Sequence, residues 1–238
     1  MASQRPLEGR VALVTGASRG IGYHAALALA QAGAHVVAVA RTVGGLEELD
    51  DAIRAQSGAA TLVPLDLKDG GGLDRLRDVV FARWGKLDAL LGNAGTLGSL
   101  GPIGHMTPAI WDELLAVNVS ANWRLIRAFD PLLQRSDAGR TVFVTSGVAR
   151  RNRPFWGGYT TTKAALEAMV LTYAAECAST NVRVNLFSPG PTRTEMYIKA
   201  FPGVDETSLP APESHAPRLV EMLSPACAVN GELIKAGR

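Results

Sequence analysis

Cysteine is scarce. Cys177 and Cys227 are the only two in 238 residues. They have neither metal-ligand spacing nor a partner nearby in sequence, which fits occasional thiols of a reduced compartment and argues against a disulfide framework or a metal site. Long apolar runs are missing too. No stretch reaches the roughly 18 uninterrupted apolar residues of a membrane span, and the start "MASQRPLEGR" has no apolar core of signal-peptide length. These absences lead us to expect a cytoplasmic protein with no membrane partner. Charge of one sign is also lacking: the formal net charge is +2, and the one dense basic stretch, "ARRNRP", is too short for a nucleic-acid footprint. No repeat, low-complexity segment or linker offers a boundary, so residues 1–238 read as a single domain.

What is present is an apolar chain, 47% hydrophobic and 19% charged, in which short β-branched runs alternate with helical patterns, the order of a parallel sheet with crossover helices. Strands are expected near 10–15, 35–40, 61–65, 87–91, 140–145, 182–187 and 231–234. The zone 188–217 is broken by prolines and cannot form a long helix; it is a candidate lid over a site.

After the first strand comes "TGASRGIG", with Gly16, Gly20 and Gly22 ahead of a helix. Glycines in such a turn, which also holds Ser18 and Ile21, allow a tight bend and let backbone approach a pyrophosphate at a helix N-terminus. Alone the turn is weak, because strand-to-helix turns take glycine for conformational reasons. At the end of the second strand, where an NAD site usually carries a carboxylate, stand Ala40, Arg41 and Thr42. A guanidinium there can grip a 2′-phosphate that a carboxylate would repel, so Arg41, helped by Arg19, points to NADP, with NAD possible.

Further on, "YTTTK" sets Tyr159 and Lys163 one helical turn apart on one face. A phenol beside an ammonium can serve as an acid and base. Bringing its pKa from about 10 to near 7 requires about 4 kcal/mol, the scale of one charge at about 4 Å and an effective dielectric of 20. Ser146 stands thirteen residues before Tyr159.

These pieces, TGxxxGxG at 15–22, "NAG" at 93–95, Asn118 in "AVNVSANW", Ser146 in "VTSG", "YTTTK" and "PGPTRT" at 189–194, resemble in kind and order the short-chain dehydrogenase/reductase family from about residue 8 onward. The resemblance implies a Rossmann-type, doubly wound α/β fold with a seven-stranded parallel sheet flanked by helices on both faces. It implies a catalytic tetrad of Asn118, Ser146, Tyr159 and Lys163, with Asn118 holding a water that links Lys163 to solvent. It implies cofactor contacts at Gly16, Ser18, Arg19, Gly20, Ile21, Gly22, Arg41, Asp66, Leu67, Asn93, Ala94, Gly95, Tyr159, Lys163, Pro189, Gly190, Thr192 and Thr194, with no metal. One departure is Gly92 in "GNAG", where the family often has a second asparagine, a change expected to loosen a strand end.

The loop between Ser146 and Tyr159 should border the substrate, a small carbonyl or alcohol. Its Phe155 and Trp156 suggest an apolar or ring-bearing one, and its Arg150, Arg151 and Arg153 suit either an acidic substrate tail or a subunit contact, the contact being preferred. The helix after Lys163 carries only Glu167 and Glu176 as charges between 164 and 178, so burial on two faces, in a homodimer or homotetramer, is expected. The expected activity is hydride transfer between NADP(H) and a carbonyl or secondary alcohol. The rivals are an NAD-linked enzyme of the same kind and a non-catalytic nucleotide-binding regulator.

Overall fold

The computed structural model describes residues 5–237; residues 1–4 and 238 of the expected domain lie outside the described residues. Seven strands form one parallel sheet: β1 (Val11–Thr15), β2 (His35–Ala40), β3 (Ala59–Pro64), β4 (Ala89–Gly92), β5 (Arg140–Val144), β6 (Arg183–Ser188) and β7 (Leu233–Lys235). Their spatial order is β3-β2-β1-β4-β5-β6-β7, which reverses direction between β1 and β4 and leaves a crevice at the carboxyl ends of the strands. The strands fall close to the expected positions. β3, β4 and β7 each start two residues from the expected place; β3 is an edge strand registered only by its pairing with β2, His35 opposite Ala59 through Ala40 opposite Pro64.

The central strands are apolar on both faces because both are covered. Alternate residues feed separate cores. Val11 and Leu13 of β1 join α3 (Gly70–Trp84), α5 (Ala121–Leu133) and α6 (Gly157–Glu176) on one side, and Ala12 and Val14 join α1 (Gly20–Gln31), α2 (Val43–Arg54) and α8 (Ala216–Leu223) on the other. Two layers of helices over seven strands are the doubly wound arrangement expected.

Several helices start on side-chain caps: Asp69 for α3, Thr107 for α4 (Pro108–Leu115) and Thr194 for α7 (Glu195–Ala200) each accept a bond from a first-turn N–H. α1 has no side-chain cap, its N-cap being Arg19. Between α4 and α5 the rod runs through a π turn, Ala116–Ser120, closed by the N–H of Ala121 donating to the Ala116 carbonyl. Within 188–217 the only α-helix before α8 is the six-residue α7, in keeping with the prolines. Among the described residues no helix is long and apolar enough to cross a membrane, and no cluster of His, Cys, Asp or Glu could hold a metal ion.

Gly92 corrects one expectation. The glycine does not loosen the strand end; a Cβ there would stand 2.2 Å from the Phe143 ring and 3.0 Å from Oδ1 of Asn122. The missing side chain is the space those two fill.

Candidate active site

The glycine turn ends β1 and opens α1. Gly16 and Gly20 have φ of +67° and +57°, a region glycine adopts without strain, and a Cβ on Gly22 would stand 2.2 Å from the Gly16 carbonyl. The turn is held from below. Thr15 Oγ1 accepts from the N–H groups of Asn93 and Ala94, and Asn93 Nδ2 donates to the carbonyls of Thr15 (3.0 Å) and Gly16 (3.3 Å). The Asn93 side chain is therefore a strut beneath the turn, and Thr15 is a site residue that sequence reasoning missed. Ser18 packs its carbonyl against the start of α2, where Gly45 leaves room for it. Ile21 is half-buried and Leu67 is buried in the core, so only the Leu67 backbone can serve a ligand. Asp66 accepts from the Lys68 N–H at 3.0 Å.

With no side-chain cap and no acidic residue in its first turn, α1 offers free N–H groups to an anion. The cradle therefore fits a pyrophosphate. Arg41 is exposed at the end of β2 and has no acidic partner among the described residues. Arg19 is also exposed and pairs with Glu195, the first residue of α7.

Across the crevice the four tetrad candidates converge. Tyr159 and Lys163 lie in the first turns of α6, with the Lys163 ammonium 5.8 Å from the phenol ring centre. Lys163 is buried and donates to the Val144 carbonyl at 2.9 Å. Burial brings its pKa down to about 8, with Glu167 opposing the shift. Burial likewise pushes the Tyr159 phenol up to about 12, with hydrogen bonding to Ser146 opposing. The expectation of a phenol near 7 is not met in this arrangement, where burial is the largest influence on the phenol. Ser146 follows β5, and besides the Tyr159 phenol its hydroxyl meets only the Val148 N–H, weakly, at 3.5 Å.

Asn118 sits on the π turn and is fully buried. Its Oδ1 accepts from Thr96 N–H at 2.8 Å, and its Nδ2 donates to the Thr96 carbonyl and to Thr162 Oγ1. Its side-chain amide is thereby committed to the 93–96 loop and to α6. The Asn118 carbonyl accepts from Nδ2 of buried Asn122, a partner that sequence reasoning missed.

Above the phenol lies a small apolar cluster of Leu97, Leu114, Trp156 and Tyr159, joined by Met196 and Phe201 of the 188–217 segment. Met196 Sδ accepts from the Tyr159 hydroxyl at 3.9 Å. Trp156 packs edge-on to Tyr159 and tilts against Phe201, while Phe155 turns outward, 60% exposed with φ +73°. Of the two aromatics expected at the substrate, only Trp156 faces the cluster. Of the loop arginines, Arg150 pairs with Glu167 at 2.8 Å and Arg153 stacks over Trp156 and Phe201. Gly190 turns the start of the 188–217 segment at φ +72°, after Pro189. Thr192 is buried with its hydroxyl on His215 Nε2 at 2.8 Å, which leaves its backbone to face a ligand. Thr194 caps α7 and lies above Gly20, its methyl 3.5 Å from where a Cβ would be.

Comparison with known proteins gives a consistent result. The family described as short chain dehydrogenase matches residues 10–204. The uncharacterized oxidoreductase YciK of Escherichia coli K12 is 36% identical over 214 residues, covering 89% of this chain and 84% of its own. A short chain dehydrogenase from Salmonella enterica serovar Typhi superposes with a TM-score of 0.95 at 36% identity, over 100% of both chains. One from Escherichia coli CFT073, crystallised with NADPH, superposes with a TM-score of 0.92 at 34% identity, over 99% of this chain and 100% of its own.

Proposed function

The chain belongs to the short chain dehydrogenase family, whose members are NAD(P)-dependent oxidoreductases, and on that premise we propose that it reduces a ring-bearing or otherwise apolar carbonyl with NADPH. The observation that carries this reading is the placement of a buried phenol, a buried ammonium and a nearly free serine hydroxyl across one crevice from an uncapped helix N-terminus. The N–H groups of the glycine turn hold the pyrophosphate, and Arg41 holds the 2′-phosphate. NADPH, when bound, supplies the hydride.

The chain's own residues manage the proton. Ser146 donates to the substrate oxygen and polarises it. With its pKa near 12 the Tyr159 phenol carries its proton at neutral pH, the form needed to protonate an alkoxide as it develops. The phenolate left behind needs a counter-charge. Two pKa units correspond to about 3 kcal/mol, and a protonated Lys163 at about 6 Å returns about the same at an effective dielectric of 20. Lys163 keeps that proton below about pH 8. Asn118 fixes the 93–96 loop against α6. Trp156, Leu97 and the lid residues Met196 and Phe201 exclude water and favour an apolar substrate body; the Met196 sulfur occupies the place the substrate oxygen takes beside Tyr159.

The outer face of α6 presents Thr161, Ala164, Ala168, Thr172 and Ala175, small residues that allow a second copy to approach closely in a homo-oligomer. Dissociation constants for NADP and NAD at one ionic strength, together with a panel of aromatic and aliphatic carbonyls followed by NADPH absorbance, test the reading. Equal affinity for the two cofactors overturns the NADP assignment, and turnover confined to small polar carbonyls overturns the substrate class.

A further inference from the structure

Glu167 lies one turn beyond Lys163 on α6, only 6% exposed. Nothing in the mechanism above uses it, and a carboxylate is expensive to bury unless it is paired and hydrogen-bonded. Both of its oxygens are committed. Oε1 accepts from Thr145 Oγ1 at 2.9 Å and Oε2 from Arg150 Nε at 2.8 Å. Thr145 immediately precedes Ser146, and Arg150 closes the short 3₁₀ turn, Gly147–Arg150, that follows it. One carboxylate thus ties both flanks of Ser146 to the helix that carries Tyr159 and Lys163. Lys163 adds a third tie, to the carbonyl of Val144. Three of the residues around Ser146 are bonded to α6 side chains, and the Ser146 hydroxyl itself is left nearly free.

We propose that Glu167 is a positioning residue for the reaction: it fixes Ser146 relative to Tyr159 by gripping Thr145 and Arg150, and it supplies the negative charge that keeps the buried Lys163 protonated. This rests on the Ser146, Tyr159 and Lys163 roles proposed above.

The charge part follows from what surrounds Lys163. On its own helix it meets Tyr159, neutral at working pH, and Glu167. The turn after β5 contributes Arg150, whose guanidinium is bonded to Oε2 of Glu167. The neighbours from the π turn and the loop after β4, Asn118 and Gly95, carry no charge. Glu167 is therefore the one anion beside an ammonium that burial is already pushing toward its neutral form. Neutral Lys163 could not stabilise the phenolate that proton donation leaves.

The chain has five lysines, so lysine labelled with 13C at Cε gives a resolvable spectrum in which Lys163 is assigned by its absence from Lys163→Met. In the NADP-loaded protein, Glu167→Gln preserves shape and one acceptor oxygen and removes the charge. We expect the Lys163 titration midpoint to fall by about one unit or more, and the alkaline limb of kcat for a carbonyl taken from the panel to move down with it while KM changes by less than about twofold. Glu167→Asp, which restores the charge, should recover the midpoint. A purely structural glutamate would leave the midpoint where it is in wild type, and that result overturns the proposal. If Glu167→Gln does not fold, the double variant Glu167→Gln, Arg150→Gln removes the stranded cation as well, and the same fall in midpoint is expected; no fall overturns the proposal. Tyr159→Phe is measured in parallel. If it keeps wild-type turnover, the catalytic reading fails whatever Glu167 does; if it is inactive and the Lys163 midpoint is unmoved by Glu167→Gln, the positioning role alone fails.

Discussion

The two edges of the sheet use the same kinds of residue to opposite ends. At the amino edge, ahead of β1, β4 and β5, polar groups are spent on one another. Asp88 is fully buried and accepts from Val11 N–H (2.9 Å), Ser136 Oγ (2.6 Å), Arg10 (3.2 Å) and Lys86 (2.9 Å), while Arg10 also reaches Asp137. Arg140 donates to the carbonyls of Gly139, Asn181 and Pro225. At the carboxyl edge the groups are held in place and left unspent: α1 has no side-chain cap, Arg41 has no acidic partner among the described residues, and the Ser146 and Tyr159 hydroxyls have only long internal contacts. The difference separates stability from function within one layer. A charge satisfied by its own chain cements the fold, and one held ready by satisfied neighbours is available to a ligand.

Substitutions at the two edges should therefore fail in different assays. The largest effect is expected from Tyr159→Phe, which removes the transferable proton: turnover should fall by about a hundred- to ten-thousandfold with the denaturation midpoint unchanged. A turnover within tenfold of wild type would show that the carboxyl edge is not where the chemistry lies. Asp88→Asn inverts that pattern. By leaving Lys86 and Arg10 short of a buried anion it should cost about 3 kcal/mol or more of stability in urea denaturation, with the NADP dissociation constant within about twofold of wild type; a shift in cofactor affinity without loss of stability would break the contrast. Arg41→Ala is next. One charge-assisted contact of about 1.5–3 kcal/mol corresponds to roughly ten- to a hundredfold in NADP affinity, with NAD unaffected. Equal weakening of both cofactors would make Arg41 a surface charge like any other.

The smallest effect is in the acid range. Burial lowers the pKa of His215, which is bonded to the Thr192 hydroxyl, and of His35 at the amino edge. A folded-state pKa below the unfolded value of about 6.5 means that the unfolded chain takes up the proton first. Stability is therefore full above about pH 6.5 and declines as pH falls from there toward the depressed pKa. His215→Asn should flatten part of that decline in thermal midpoints taken between about pH 7 and about pH 5. An identical slope would mean the imidazole is already hydrated in the folded chain.

The strands, the glycine turn and the Tyr159–Lys163 pair were legible because each is a local pattern: β-branched runs, turn glycines, a four-residue spacing. What escaped depends on partners distant in sequence. Thr192 and His215 are 23 residues apart, Arg150 and Glu167 are 17, and the Phe143 ring that occupies the space above Gly92 comes from another strand. Spacing placed an ammonium near the phenol, yet the phenol's pKa is set first by burial, which no spacing reports. The intrachain partners of Arg150 and Arg153 escaped for the same reason: nothing local announces a guanidinium on a buried carboxylate or lying across two rings.

The π turn at Ala116–Ser120 makes the rod from Pro108 to Leu133 a matter of phase. One residue more than an α-helical turn needs is stored there, so the faces of α4 and α5 are set about 100° out of step. Asn118 can thus point at Thr96 while Leu125 and Phe129, further along, still meet the core. Deleting a single residue from the turn would give a more regular helix and a worse protein: either α5 keeps its apolar face and α4 rotates away from the 93–96 loop, or the reverse. Length here acts as a coordinate, and tolerance to insertion or deletion should be lowest where the helix looks least ideal.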